Sequence, residues 1–165
     1  MTFVIKSQLT PEFSTEFLVA SGAVGSIRRG TPTKSADAAG AATGVVAAMV
    51  DGDGSTSQNF TGIAKDVSTD TAAAAGRVIL WLPLPGIIYA GKAKTASTAD
   101  TQAEVDALRR KRVVFDLTST VWTIDAAATD AVANCVVIIN GDFRTQVLDF
   151  AYRPSGTFLD FAISA

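Results

Sequence analysis

The chain contains no histidine, and that absence removes most of the ways in which a protein carries out acid-base chemistry near neutral pH. Ser-His-Asp and Cys-His catalytic arrangements and imidazole metal sites are excluded outright. There is a single cysteine, Cys135, so no intrachain disulfide can form. Its thiol adjoins the apolar run 136–139 and reads as a small buried group, since no imidazole exists to activate it. Charge is also sparse: Asp, Glu, Lys and Arg make up 18% of the chain, and 14 basic against 16 acidic residues leave a formal net charge of -2. A surface that tracks phosphates needs a basic excess or a concentrated patch, so no nucleic-acid partner is expected. Long apolar runs are missing too. The longest, 78–90, is broken by Pro83, Pro85 and Gly86 and falls short of the roughly 20 residues that cross a bilayer. Residues 1–7 lack the basic start and apolar core of an export signal. A soluble protein made in the cytoplasm, without a membrane partner, is the expectation.

What is present is a well-punctuated β pattern. Val136-Val137-Ile138-Ile139 runs into Asn140-Gly141, a dipeptide that adopts the left-handed angles of a two-residue hairpin turn at little cost. Residues 145–152 then alternate apolar and polar, Pro154-Ser155-Gly156 interrupts, and 157–163 resumes, so the region from 113 onward reads as a closing meander. Strands are also expected at 113–117 and 121–124, at 77–82 and at 87–93. Val45 to Val50, Asp51-Gly52-Asp53-Gly54 and residues 58–64 read as a second hairpin. An Ala72 to Ala75 run could form one helical turn.

One helix is expected, at about 99–110, capped by Thr98 or Asp100, with Asp106 and Arg110 as an i,i+4 pair. Val105 and Leu108 give it a narrow apolar stripe, which suits a helix lying on a sheet. Trp81 and Trp122 fall within apolar strand patterns and are expected to fill the core. Residues 1–43 differ from the rest. Phe3, Phe13 and Phe17 are apolar anchors spaced by Ser, Thr and Pro, and 31–43 is a small-residue loop. This divides the chain into an N-terminal arm and loop, 1–43, for which two ordinary strands plus a surface loop is the equal alternative, and a β-rich domain, 44–165. At this length roughly 70% of the unfolded surface can be buried. The fold class expected is mainly β, an antiparallel β-sandwich or barrel with one short helix and an extended N-terminal arm.

Candidate chemistry is thin. Asp116, Asp125, Asp142, Asp149 and Asp160 sit at turns or on the polar phase of strands and read as solvated surface. Residues 51–57 imitate the start of a calcium loop, but Thr56 stands where the sharp turn needs Gly and Gly62 where a bidentate Glu should close it. Gly22-Ala23-Val24-Gly25-Ser26 lacks the spacing of a nucleotide-binding loop and reads as a turn. No catalytic, cofactor or metal-binding residue is assigned, and a non-enzymatic role is expected. The only dense charge patch is Arg109-Arg110-Lys111-Arg112. It reads either as a helix end satisfying its dipole or as a contact for an acidic partner. Candidate partner-contact residues are therefore Phe3, Phe13, Phe17, Arg109, Arg110 and Arg112.

In texture the chain resembles the decoration, or cement, proteins of tailed-bacteriophage capsids. The likeness lies in its Ala, Gly and Thr-rich turns, in Phe60-Thr61-Gly62-Ile63-Ala64-Lys65-Asp66 leading into Gly76-Arg77-Val78, and in the segment from Asp116 to Asp125 before the closing strands. It covers about residues 45–165 and carries over no functional residue. It implies a homo-oligomer, with a trimer favoured, on the outer surface of the virion, bound to the major capsid protein and stabilising the head. A phage tail or fibre subunit, or a glycan-binding β-domain, is the alternative, and would gather exposed aromatics and carboxylates in one groove. An arm formed by residues 1–20 could then add a strand to a neighbour's sheet.

Overall fold

The computed structural model of the chain describes residues 3–8, 14–22, 24–36, 44–49, 60–84, 86–118, 120–127 and 136–152. Its strands are β1 (Val4–Gln8), β2 (Ser14–Val19), β3 (Pro32–Ser35), β4 (Val45–Ala48), β5 (Phe60–Ala64), β6 (Gly76–Trp81), β7 (Ile87–Lys92), β8 (Arg112–Thr118), β9 (Val121–Asp125), β10 (Val136–Asp142) and β11 (Val147–Tyr152), and the helix α1 is Gln102–Leu108. They form a six-stranded sheet in the order β1-β7-β11-β10-β8-β9 and a closed barrel in the order β2-β4-β3-β5-β6. The mainly β sandwich-or-barrel class expected from the sequence is the one observed.

Each sheet follows from its side-chain alternation. In β6, Arg77 and Ile79 face outward while Val78 and Leu80 are buried, the period-2 signature of a half-buried strand. Val78 and Leu80 meet Val19, Ile27, Val46 and Ala64 to fill the barrel. A barrel of few strands has a narrow interior, and small and β-branched side chains suit it. All five residues of β5 are buried, because Ala64 belongs to the barrel cluster while Phe60 and Ile63 join the larger core on the other side. Met49 and Trp81 also reach that core, which otherwise belongs to the six-stranded sheet and α1. It is strongly aromatic. Phe115 packs at 4.9 Å from Phe3, 6.0 Å from Phe60 and 5.7 Å from Phe150 between ring centroids, and Phe60 stacks on Tyr152 at 4.3 Å. The larger core thus takes residues from both sheets, beside the barrel's own smaller cluster, and Trp81 and Trp122 are both buried in it as expected.

The helix is shorter than its sequence pattern and starts later. A 3₁₀ turn occupies Ala96–Thr98, and Thr101 is the cap. Its Oγ1 accepts the Glu104 N–H at 3.3 Å while Glu104 Oε2 accepts the Thr101 N–H at 3.0 Å, a reciprocal capping box. Asp106 pairs with Arg109 at 3.1 Å rather than with Arg110, because the backbone turns at Arg110, where φ reaches 67°. Val105 and Leu108 are buried as expected, and α1 lies against β10.

Three turn readings are corrected. Asn140-Gly141 lies inside β10, where Asn140 pairs with Asp149 and Gly141 with Leu148, and the chain reverses at 143–146. There the Asp142 carboxylate accepts the Arg144 N–H and the Thr145 hydroxyl, each at 3.0 Å, and Gln146 takes φ 53°. Gly141 is needed for packing instead: a Cβ there would stand 2.9 Å from Leu148 Cδ2 and 3.3 Å from Val105 Cγ1. The hairpin expected between β4 and β5 does not form, since β3 lies between them and pairs with both. Residues 32–35, read as part of a loop, are that strand. Pro32 is tolerated as its first residue, where its carbonyl accepts the Met49 N–H at 2.9 Å. The 72–75 run forms a bend closed by Thr71 and Ala74 backbone hydrogen bonds, not a helical turn.

Of the two readings of residues 1–43, ordinary strands are what the described residues show, laid into the body. β1 pairs with β7, and β2 pairs with β6 and β4. Phe13, Cys135, the 51–57 segment, Asp160 and the last meander strand lie outside the described residues.

Candidate functional site

Two polar clusters stand out in the described body; sequence reasoning named Asp116 and Asp125 of the first as carboxylates but read them as solvated surface, and of the second it singled out the 22–26 turn alone. The first closes the curl of the six-stranded sheet. Beyond β7, Ala93 bridges Ile124 of β9 and the Lys94 N–H donates to the Ile124 carbonyl at 2.8 Å. The Lys94 ammonium then lies 2.7 Å from Asp116 Oδ1 and 3.3 Å from Asp125 Oδ2. Asp116, expected at the solvated surface, is only 6% exposed, and its Oδ2 accepts the Thr118 hydroxyl at 2.7 Å. Asp149 is likewise buried. The hydrogen bond to Asp116, then that to Asp125, raises the Lys94 pKa above its ordinary value. A nucleophilic lysine needs the opposite shift. Lys94 therefore neutralises two carboxylates. The stability this pairing confers is complete below the ordinary lysine pKa and is lost as pH rises through the raised one.

The second cluster ties two loops together under the barrel. Asp70 is 1% exposed. Its Oδ1 accepts the Ser26 N–H at 3.3 Å and the Ser68 hydroxyl, and Ser68 Oγ in turn accepts the Ile27 N–H at 3.0 Å. Backbone hydrogen bonds from Gly22 to Thr71, Gly25 to Asp70 and Ser68 to Ile27, at 3.1, 3.1 and 2.9 Å, complete the join. The Gly-rich segment at 22–26 contains the turn expected, with Gly25 at φ 61°. Burial is the largest influence on the Asp70 carboxyl and disfavours its charge. The hydrogen bonds from Ser68 and Ser26 together outweigh it and hold the pKa below the ordinary carboxylate value.

A lowered carboxylate pKa contributes stability that is present above the unfolded value and disappears as pH falls through the folded one. Asp70→Asn is therefore expected to flatten the acid limb of the stability profile below about pH 4 while lowering stability at neutral pH. Denaturant melts at a series of pH values check this. Parallel acid limbs for the two proteins would mean that Asp70 does not titrate with folding.

The candidate partner contacts fall into two groups that the fold treats differently. Phe3 is fully buried in the aromatic core, so in this arrangement it is not a free anchor. Phe17 is half-buried against the barrel cluster. The arginines do come together, at the junction of α1 and β8. Arg109 donates from Nη2 to Asn140 Oδ1 at 3.0 Å and pairs with Asp106, Arg110 is exposed, and Arg112 is half-buried where β8 begins. Beside them Ile139, the residue displaced by a bulge in β10, is 44% exposed. Sequence reasoning missed Ile139 because the run 136–139 looks uniformly core-forming. Nothing short of the pairing register distinguishes its fourth member.

Among the described residues no group of three or more His, Cys, Asp or Glu side chains is placed to hold a metal ion, and no helix is long and apolar enough to cross a membrane. No protein-family model matches the chain, and no curated protein matches it by sequence.

Proposed function

We propose that this chain is a non-enzymatic structural protein of the virion, a capsid decoration or cement protein that binds the outer face of the major capsid protein shell and stabilises the head. The observation that carries the reading is the aromatic core to which the closed barrel and the six-stranded sheet both contribute residues. A cement works by rigid area and by many modest contacts repeated around a lattice, so avidity replaces strong single sites. The ionisable groups are used in the same sense. Lys94, Asp116, Asp125 and Asp70 are committed to tying strands and loops together.

Among the described residues, the buried aromatics lend the glycan-binding alternative no support. Both tryptophans are buried, and Phe3, Phe60, Tyr89, Phe115 and Phe150 pack inside the body. The purified protein is expected to form a discrete oligomer, with a trimer favoured, to co-sediment with expanded capsid shells and to raise their resistance to heat or chelators. Sedimentation and shell-melting measurements test this. Protein that stays monomeric at micromolar concentration and ignores shells would end the cement reading.

A further inference from the structure

We infer that the α1–β8 turn and the adjoining bulge of β10 form a docking surface for an acidic protein segment that carries an apolar side chain. Residues Leu108 to Lys111 make a tight turn in which the Lys111 N–H donates to the Leu108 carbonyl at 2.9 Å. Arg109 has φ -55° and ψ 131°, and Arg110 has φ 67°. These are the angles of a type II turn, whose third position calls for glycine. The chain places an arginine there. The local backbone does not ask for this side chain, and an outlier of this kind points to a use outside the fold.

The turn is also held in place. The Arg110 N–H donates to the Ile138 carbonyl at 2.8 Å, and the Ile138 N–H donates to the Lys111 carbonyl at 3.0 Å. Arg110 is thus fixed against β10 by its backbone, while its side chain is exposed and makes no hydrogen bond or ion pair among the described residues. On the next residue of β10 the bulge exposes Ile139, and Arg109 is held beside the bulge through Asn140. An exposed apolar residue, next in the strand to the one that holds Arg110 and beside the asparagine that holds the Asp106-paired Arg109, gives this face the mixed apolar and arginine composition of an interface hot spot.

Charge complementarity selects the occupant. Guanidinium groups pair bidentately with carboxylates. The chain as a whole carries -2 and has a pI of about 5.0, without the basic excess that a phosphate-tracking surface needs. This inference deepens the structural reading above, and rests on it, by naming the surface that a carboxylate-bearing partner would cover.

The test uses the full chain with a short synthetic glutamate-rich peptide bearing one central leucine, its glutamine counterpart, and a single-stranded DNA oligonucleotide of equal charge. Fluorescence anisotropy is expected to detect the glutamate peptide alone, with affinity falling as salt rises. Arg110→Gly is expected to weaken that binding about tenfold or more while leaving the thermal midpoint equal or higher, since glycine suits the turn. Undiminished binding by Arg110→Gly, preference for the oligonucleotide, or no binding of the peptide would each overturn the inference. Co-sedimentation separates it from the broader reading. If the parent protein binds shells and Arg110→Gly binds equally well, this surface is wrong and the cement reading stands. If the parent ignores shells, the cement reading fails whatever the peptide does.

Discussion

Replacing Phe3 with alanine is expected to lower the stability of the isolated chain by about 3–5 kcal/mol, the range for removing a fully buried aromatic ring. Phe3 has no exposed surface, and its ring centroid lies 4.9 Å from that of Phe115 and 5.2 Å from that of Phe150. The fold makes room for it at Gly91, where a Cβ would stand only 2.4 Å from Phe3 Cε1. The site cannot collapse easily after truncation, because stiff strands on either side supply its walls. For a chain of this size the loss corresponds to a fall of roughly 6–20 °C in thermal midpoint. The measurement also discriminates between two roles. An anchor destined for a neighbouring subunit would leave the melt of the isolated chain nearly unchanged, so a loss below about 1 kcal/mol would show that β1 is not docked here. Deleting residues 1–20 should accordingly destabilise the body itself. It removes β1 and, with β2, the strand that closes the barrel between β4 and β6.

The elements that the sequence announced are those whose signals are local. β8, β9, β11 and the buried stripe of α1 follow from alternation and spacing over a few residues, and they lie where those patterns put them. What was not legible depended on contacts distant in sequence. β3 has little apolar bulk and reads as loop, yet it is central to the barrel because Thr33 faces Gly62 and donates its hydroxyl hydrogen bond to the Gly62 carbonyl at 2.9 Å. Asn140-Gly141 carries a strong turn signal, but the approach of α1 claims Gly141 for packing and moves the reversal downstream. Asp116 has the phase of a surface residue and becomes buried because Lys94 arrives from the end of β7. The arginine cluster was visible as composition. Its partner feature, the outward Ile139, is created by the register shift in β10.

Gly76→Ala is expected to be comparably severe, with a loss of about 3 kcal/mol or more, at the upper end of what overpacking costs. A Cβ on Gly76 would stand 2.0 Å from the Asp70 nitrogen and 2.5 Å from both Asp70 Cα and the Thr69 carbonyl carbon. All three are backbone atoms, so no side chain can swing aside. The crossing segment is pinned as well: the Thr69 N–H donates to the Arg77 carbonyl and the Arg77 N–H to Thr69 Oγ1, each at 3.0 Å, while Asp70 holds the 22–26 turn. Relief of the clash must break one of these ties, and each is worth about 1 kcal/mol. Gly76 does not have a positive φ, so the loss comes from contact alone. Gly44→Ala supplies the contrast, since Gly44 has φ 72° but no atom within 4 Å of its missing Cβ. That substitution should cost only the roughly 1–2 kcal/mol of a left-handed alanine. Denaturant melts of the two variants side by side measure the difference. If Gly76→Ala proves no worse than Gly44→Ala, segment 69–70 does not cross β6 as closely as described, and the join between the barrel and its Asp70 loop must be redrawn.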